Sequence, residues 1–172
     1  PKMVEDSTED GVIIYKFVDS KCDLNGSEEN TWIPIANYEP SQWAARDSTI
    51  VTPIEKHLLV DGDQFVISDT SIKIKFSYPL NGDYHFDFHS DVGFTRRALV
   101  EAIVKTYVRI YAEEEKTIRD TPVIPLDQRR VVANRNATDG KYGIWGHDIG
   151  DLVIEGIEYD TCAKVVSLSI GS

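Results

Sequence analysis

A change of period at Phe94 constrains this chain more than any other feature. Before it, apolar residues alternate. In Ser71–Tyr78, Ile72, Ile74, Phe76 and Tyr78 fall on one side, and Lys73, Lys75 and Ser77 on the other. That alternation describes a strand with one buried and one wet face. Pro79-Leu80-Asn81-Gly82 reads as a reversal, after which Tyr84, Phe86 and Phe88 alternate again. Beyond Phe94, Leu99, Ala102, Ile103, Thr106, Tyr107, Ile110 and Tyr111 recur at helical spacing, and Val100, Val104 and Val108 widen the stripe. Arg97, Glu101, Lys105, Arg109 and Glu113 repeat every four residues on the other side. Thr95 is the expected N-cap of a helix over Phe94–Thr117.

The flanking segments read as strands. Gly11–Val18 is short and β-branched; Trp32–Ala36 is interrupted by Pro34, which suits a sheet edge. Ile50–Val60 leads through the hairpin signal Asp61-Gly62 into Phe65–Ile67. Leu152–Tyr159 and Lys164–Ile170 form a closing hairpin, with Gly156 as a bulge position. Residues 119–141 carry no sustained period beyond a short strand at Val131-Val132, which points to a functional loop, disorder or an element the pattern does not reveal. The expected class is α+β: an antiparallel sheet, made of a meander and a C-terminal hairpin, with one long amphipathic helix packed across it. Ile72, Ile74, Phe76, Phe86, Phe88, Leu99, Ile103, Tyr107 and Ile110 should form its core. Residues 1–10, where Glu5, Asp6, Glu9 and Asp10 outnumber Lys2, read as an acidic tail, and 11–172 as one domain. Pro1 rather than Met opens the chain, which leaves room for an upstream segment.

The 172 residues carry 18 basic and 29 acidic side chains, a formal charge of −11. Repulsion from a phosphate backbone then argues against nucleic acid as main partner. No apolar run approaches the length of a membrane span. Cys22 and Cys162 are too few for a disulfide framework, and an intracellular setting is expected over secretion. The sequons Asn25-Gly26-Ser27 and Asn136-Ala137-Thr138 occur too readily by chance to change that.

Gly140-Lys141-Tyr142-Gly143-Ile144-Trp145-Gly146-His147-Asp148-Ile149, followed by Asp151-Leu152-Val153-Ile154-Glu155-Gly156-Ile157, resembles a segment of small uncharacterised proteins of plants, protists and large DNA viruses. The helix region from Gly93-Phe94-Thr95 to Tyr111-Ala112-Glu113-Glu114 fits the same resemblance, which covers roughly the C-terminal half. It brings no catalytic residues. Its viral part implies a virion- or capsid-associated role.

Three constellations could carry chemistry. On a strand, His85, Asp87 and His89 project from one face, a donor set for a divalent transition metal, with His147-Asp148 as a further ligand or support. The plainer reading makes them the wet face of a half-buried strand. Second, Gly143 and Gly146 flank Ile144-Trp145, so a tight turn next to Tyr142 could display Trp145 as an anchor or plug it into the core. Third, Arg96 and Arg97 at the helix start and Glu113, Glu114 and Glu115 at its end oppose the helix dipole, so each needs compensation. Asp87 or Asp91 are candidate partners for the arginines, or the arginines could join the helix N-terminus in binding an external anion; the plainer reading is internal ion pairs and a solvated loop. Arg129, Arg130, Arg135 and Arg119 make the 119–141 segment locally basic. No phosphate-binding glycine loop, Gly-x-Ser-x-Gly elbow or catalytic-cysteine signature is present. The sequence therefore points to a non-enzymatic binding or structural protein in a larger assembly. Trp145, Tyr142, Arg96, Arg97, Arg129 and Arg130 would meet a protein partner. The alternative is a metal-dependent enzyme built on His85, Asp87, His89 and His147.

Overall fold

The computed structural model describes residues 7–9, 11–17, 19–22, 29–30, 33–35, 59, 61–130 and 134–172. Trp32, Trp43, Val131, Val132, Asn25 and most of Ile50–Val60 lie outside them. The strands are β1 (Ser7–Glu9), β2 (Val12–Lys16), β3 (Asp19–Cys22), β4 (Glu29–Asn30), β5 (Ile33–Pro34), β6 (Phe65–Ile67), β7 (Ser71–Phe76), β8 (Tyr84–His89) and β9 (Phe94–Thr95). The helix α1 (Arg96–Thr117) follows, and then β10 (Val153–Asp160) and β11 (Val165–Gly171). The class is α+β. Ser7–Glu9, read from sequence as part of a tail, instead pair antiparallel with β2.

The main sheet runs β1-β2-β10-β11-β7-β8, with β5 also paired to β10. An all-antiparallel sheet was expected, and the sheet is mixed. β11 runs parallel to β7, aligning Val166 with Ile74. The two local hairpins, β7–β8 and β10–β11, form as read, but their side-by-side joining is a long-range choice that neither turn encodes. Gly156 does mark a register shift in β10. β6 pairs with β9 in a separate ribbon leading into the helix.

Thr95 caps α1: its hydroxyl accepts from the Ala98 amide at 3.0 Å. Leu99, Ile103, Tyr107 and Ile110 are buried as the stripe requires. The face is less cleanly apolar than expected, because Arg96, Thr106 and Glu114 are buried along with it. Tyr107 stands edge-on to Phe76 at 5.0 Å and donates its hydroxyl to the Tyr78 carbonyl. These contacts seat the helix on β7, while Arg109 covers the Phe86 ring. Phe86 and Phe88 are only partly buried, since among the described residues β8 is the last strand of the sheet, with β7 alone beside it. No helix among the described residues is long and apolar enough to cross a membrane.

Ile103 is fully buried between helix and sheet. Ile103→Ala should cost about 2–5 kcal/mol through lost transfer energy and the cavity left behind. Urea denaturation measures this directly; a loss under about 0.5 kcal/mol, the scale of a surface change, would mean that the helix does not pack through this face.

Candidate functional site

The end of α1 explains its own misplaced acids. A carboxylate here faces the negative end of the helix dipole and should destabilise it. Glu114 is fully buried, yet its carboxylate is surrounded by donors. Oε1 accepts from Thr138 Oγ1 at 2.6 Å and the Gly140 amide at 2.9 Å. Oε2 accepts from the amides of Tyr142 at 2.7 Å and Gly143 at 3.1 Å. Burial alone would raise this carboxyl, but the donors outweigh it and hold it below the usual range. A Cβ on Gly140 would lie 2.7 Å from Oε2, so the approach requires glycine. Gly143 has φ +57°, and a side chain there would strike Asn81.

Glu113, one residue earlier, points outward. It receives Arg109 at 2.8 Å, Lys141 at 2.9 Å and the Tyr142 hydroxyl at 2.6 Å. Those bonds lower its carboxyl from 4.5 to about 2.

The tethered loop then wraps the end of the β7–β8 hairpin. The Asn81 amide donates to the Tyr142 carbonyl and the Trp145 amide to the Pro79 carbonyl. Tyr142 is buried, so it anchors the loop rather than facing a partner. Trp145 lies at the surface with 43 % of its area exposed. Its indole donates to the Leu80 carbonyl at 3.2 Å and stands edge-on to Tyr78 at 5.3 Å. The His147 ring lies 5.6 Å from Tyr78 and 6.3 Å from Trp145.

Arg97 and Arg129 turn inward, but to partners other than the acids proposed from sequence. Arg96 is fully buried with its guanidinium 5.7 Å from the Tyr15 ring. Arg97 pairs with Asp63 at 3.2 Å, not with Asp87 or Asp91. The Arg129 side chain, only 5 % exposed, grips Asp148 with two bonds, at 2.6 and 3.2 Å, and donates to the Ile124 carbonyl. Arg135 is buried over the Tyr111 ring, 3.9 Å from the same Asp148. Of Arg96, Arg97, Arg129 and Arg130, expected to meet a partner, only Arg130 is exposed. The others neutralise charge or stack inside the protein, because each has a carboxylate or ring that sequence distance concealed. Burial and the neighbouring Asp148 charge raise the Asp151 carboxyl, against the Asp148 amide that donates to it.

Residues 119–141 are ordered by side chains rather than by a ladder. Asp139 accepts from the amides of Arg119, Asp120 and Thr121. Asn136 accepts from the Ile124 amide and donates to the Pro122 and Ala137 carbonyls.

His85, Asp87 and His89 do share the outer face of β8, but they do not converge. Asp87 pairs with Lys73 at 2.5 Å. His89 bonds Ser71 and Asp91, each at 3.0 Å. His147 lies beside Tyr78, beyond the opposite end of β7. Among the described residues, no three His, Cys, Asp or Glu side chains gather to hold a metal ion. The cross-strand partners on β7, which the strand pattern alone could not assign, take the donors instead.

Compared with known proteins, the chain matches no family model, no curated protein and no solved structure.

Two outcomes follow from the clasp. Glu114→Ala would leave several buried donors without an acceptor, so it should cost more than about 3 kcal/mol in urea denaturation. Glu115→Ala, at an exposed position, should stay within about 0.5 kcal/mol; equal losses would contradict the clasp. The second concerns acid. A depressed carboxyl stabilises the fold above its unfolded value and loses that contribution as pH falls through its folded value. For Glu113 that window runs from 4.5 down to about 2. The melting temperature should therefore fall across it, and fall less steeply in Glu113→Gln.

Proposed function

We propose that the protein is a binding component of a larger assembly, and that it takes a protein partner on the surface around Trp145. The supporting observation is a large aromatic side chain that is exposed and already immobilised. The Trp145 indole is tied to the Leu80 carbonyl and braced edge-on against Tyr78, and its own amide is bonded to Pro79. A fixed ring loses little conformational entropy on docking. Trp and Tyr are also the side chains that dominate interface energies. His147 extends the aromatic surface, and Arg130 is the charged side chain that remains available from the expected basic set. Arg96, Arg97 and Arg129 have internal roles and are not part of the reading. A virion-associated role agrees with the viral part of the resemblance in the Tyr142–Asp148 segment.

The test compares the 172-residue chain with its Trp145→Ala variant as baits in extract from source cells. A central anchor is worth about 2 kcal/mol or more, roughly a thirtyfold loss of affinity. Partners retained by the parent should disappear from the variant, while the melting temperature stays close to the parent value. Identical sets of bound proteins from both baits would sink the reading.

A further inference from the structure

A second group of side chains lies on the outer face of the β7–β8 hairpin, away from Trp145. Ser71 and His89 are direct cross-strand partners. Ser71 Oγ is 3.0 Å from His89 Nδ1, and His89 Nε2 is 3.0 Å from Asp91 Oδ1. Bonding logic fixes the direction of this chain. An ionised carboxylate only accepts, so Nε2 carries the hydrogen and donates to Asp91. In the neutral ring, Nδ1 then holds the lone pair, and the Ser71 hydroxyl donates to it. The order is hydroxyl, base, orienting carboxylate, the arrangement that activates a serine nucleophile.

Ser71 and His89 also line an open trough of about 390 Å³, together with Ile72, Lys73, Phe88 and Lys164 among others. Lys73 and Lys164 are positioned there by Asp87 and Asp69. The trough thus sets a nucleophile and its base beside two ammonium groups, each already paired with a carboxylate, that can still face a developing oxyanion.

We propose that this trough is an acyl-transfer site with Ser71 as nucleophile, acting on small esters of good leaving-group alcohols. Ser71 Oγ bonds to the ester carbonyl carbon while its proton passes to His89 Nδ1, and the carbonyl electron pair moves onto oxygen, facing Lys73 and Lys164. Return of that pair breaks the bond to the alcohol oxygen, which takes the proton from Nδ1. Water repeats the sequence on the acyl-serine and releases the carboxylic acid. Asp91 touches no substrate; it is a positioning residue that holds the imidazole tautomer. The His89 and Asp91 side chains are 63 % and 96 % exposed, so solvent weakens the field between them. That restricts the site to activated esters.

The experiment treats the 172-residue chain with a fluorophosphonate and, separately, with p-nitrophenyl acetate. Peptide mass spectrometry should find the phosphonyl adduct on Ser71, and Ser71→Ala should lose both the adduct and ester turnover without a change in melting temperature. His89→Gln should slow labelling roughly 100-fold, the scale of a lost general base. Asp91→Asn should also slow it, and Asp91→Glu should restore part of the rate, which a merely structural role for the side chain would not produce. No adduct on Ser71, an adduct on another residue alone, or unchanged labelling in His89→Gln would overturn the proposal. None of these results depends on Trp145, so its failure and that of the partner-binding reading are separately visible.

Discussion

The buried Glu114 carboxylate is the interaction on which the C-terminal half is organised. A charge taken out of water is strongly unfavourable unless hydrogen bonds replace its hydration. Here they come from one hydroxyl and three backbone amides of a loop that has little regular structure of its own. The carboxylate therefore does for the loop what a ladder does for a strand. Once the loop is fixed to the helix, Tyr142 is buried, the Trp145 amide meets Pro79, and Asp148 comes within reach of Arg129. Helix, hairpin turn and loop thus lock together through one side chain.

Local order was legible in the sequence. Leu99, Ile103, Tyr107 and Ile110 mark a helix because their spacing is set by the helix alone, and Thr95 marks its start because its hydroxyl reaches an amide three residues away. The alternation in Ile72, Ile74 and Phe76 is likewise a local signature. Long-range pairing was not legible. Nothing in β7 or β11 announces that they run parallel, because the choice lies in how two hairpins meet. The partners of the arginines were hidden for the same reason: Asp63 is 34 residues from Arg97, and Asp148 is 19 from Arg129. Glu114 gave a partial signal. Its conflict with the helix dipole showed that compensation was needed, but the donors lie 24 to 29 residues further on.

The outer face of the sheet and the loop surface obey different physics. On β7–β8, Ser71–His89 and Lys73–Asp87 form rungs between strands, each close enough to interact and open to water. That solvation weakens the attraction between charges while leaving the side chains accessible to small reactants. Around Trp145 the groups are braced by carbonyls and neighbouring rings. Such a surface keeps one shape, which suits docking more than chemistry.

The ordered loop also bears on the history of the chain. Both amide hydrogens of Asn136 are directed at carbonyls, and the Thr138 hydroxyl is given to Glu114. These are the two side chains that a glycan acceptor triplet must present. A sugar attached to Asn136 would replace one of those hydrogens, so the nitrogen could hold only one of its two carbonyls. The clasp on Glu114 uses none of the Asn136 atoms. A glycan here would therefore loosen the loop between Pro122 and Ala137 while leaving the end of α1 closed.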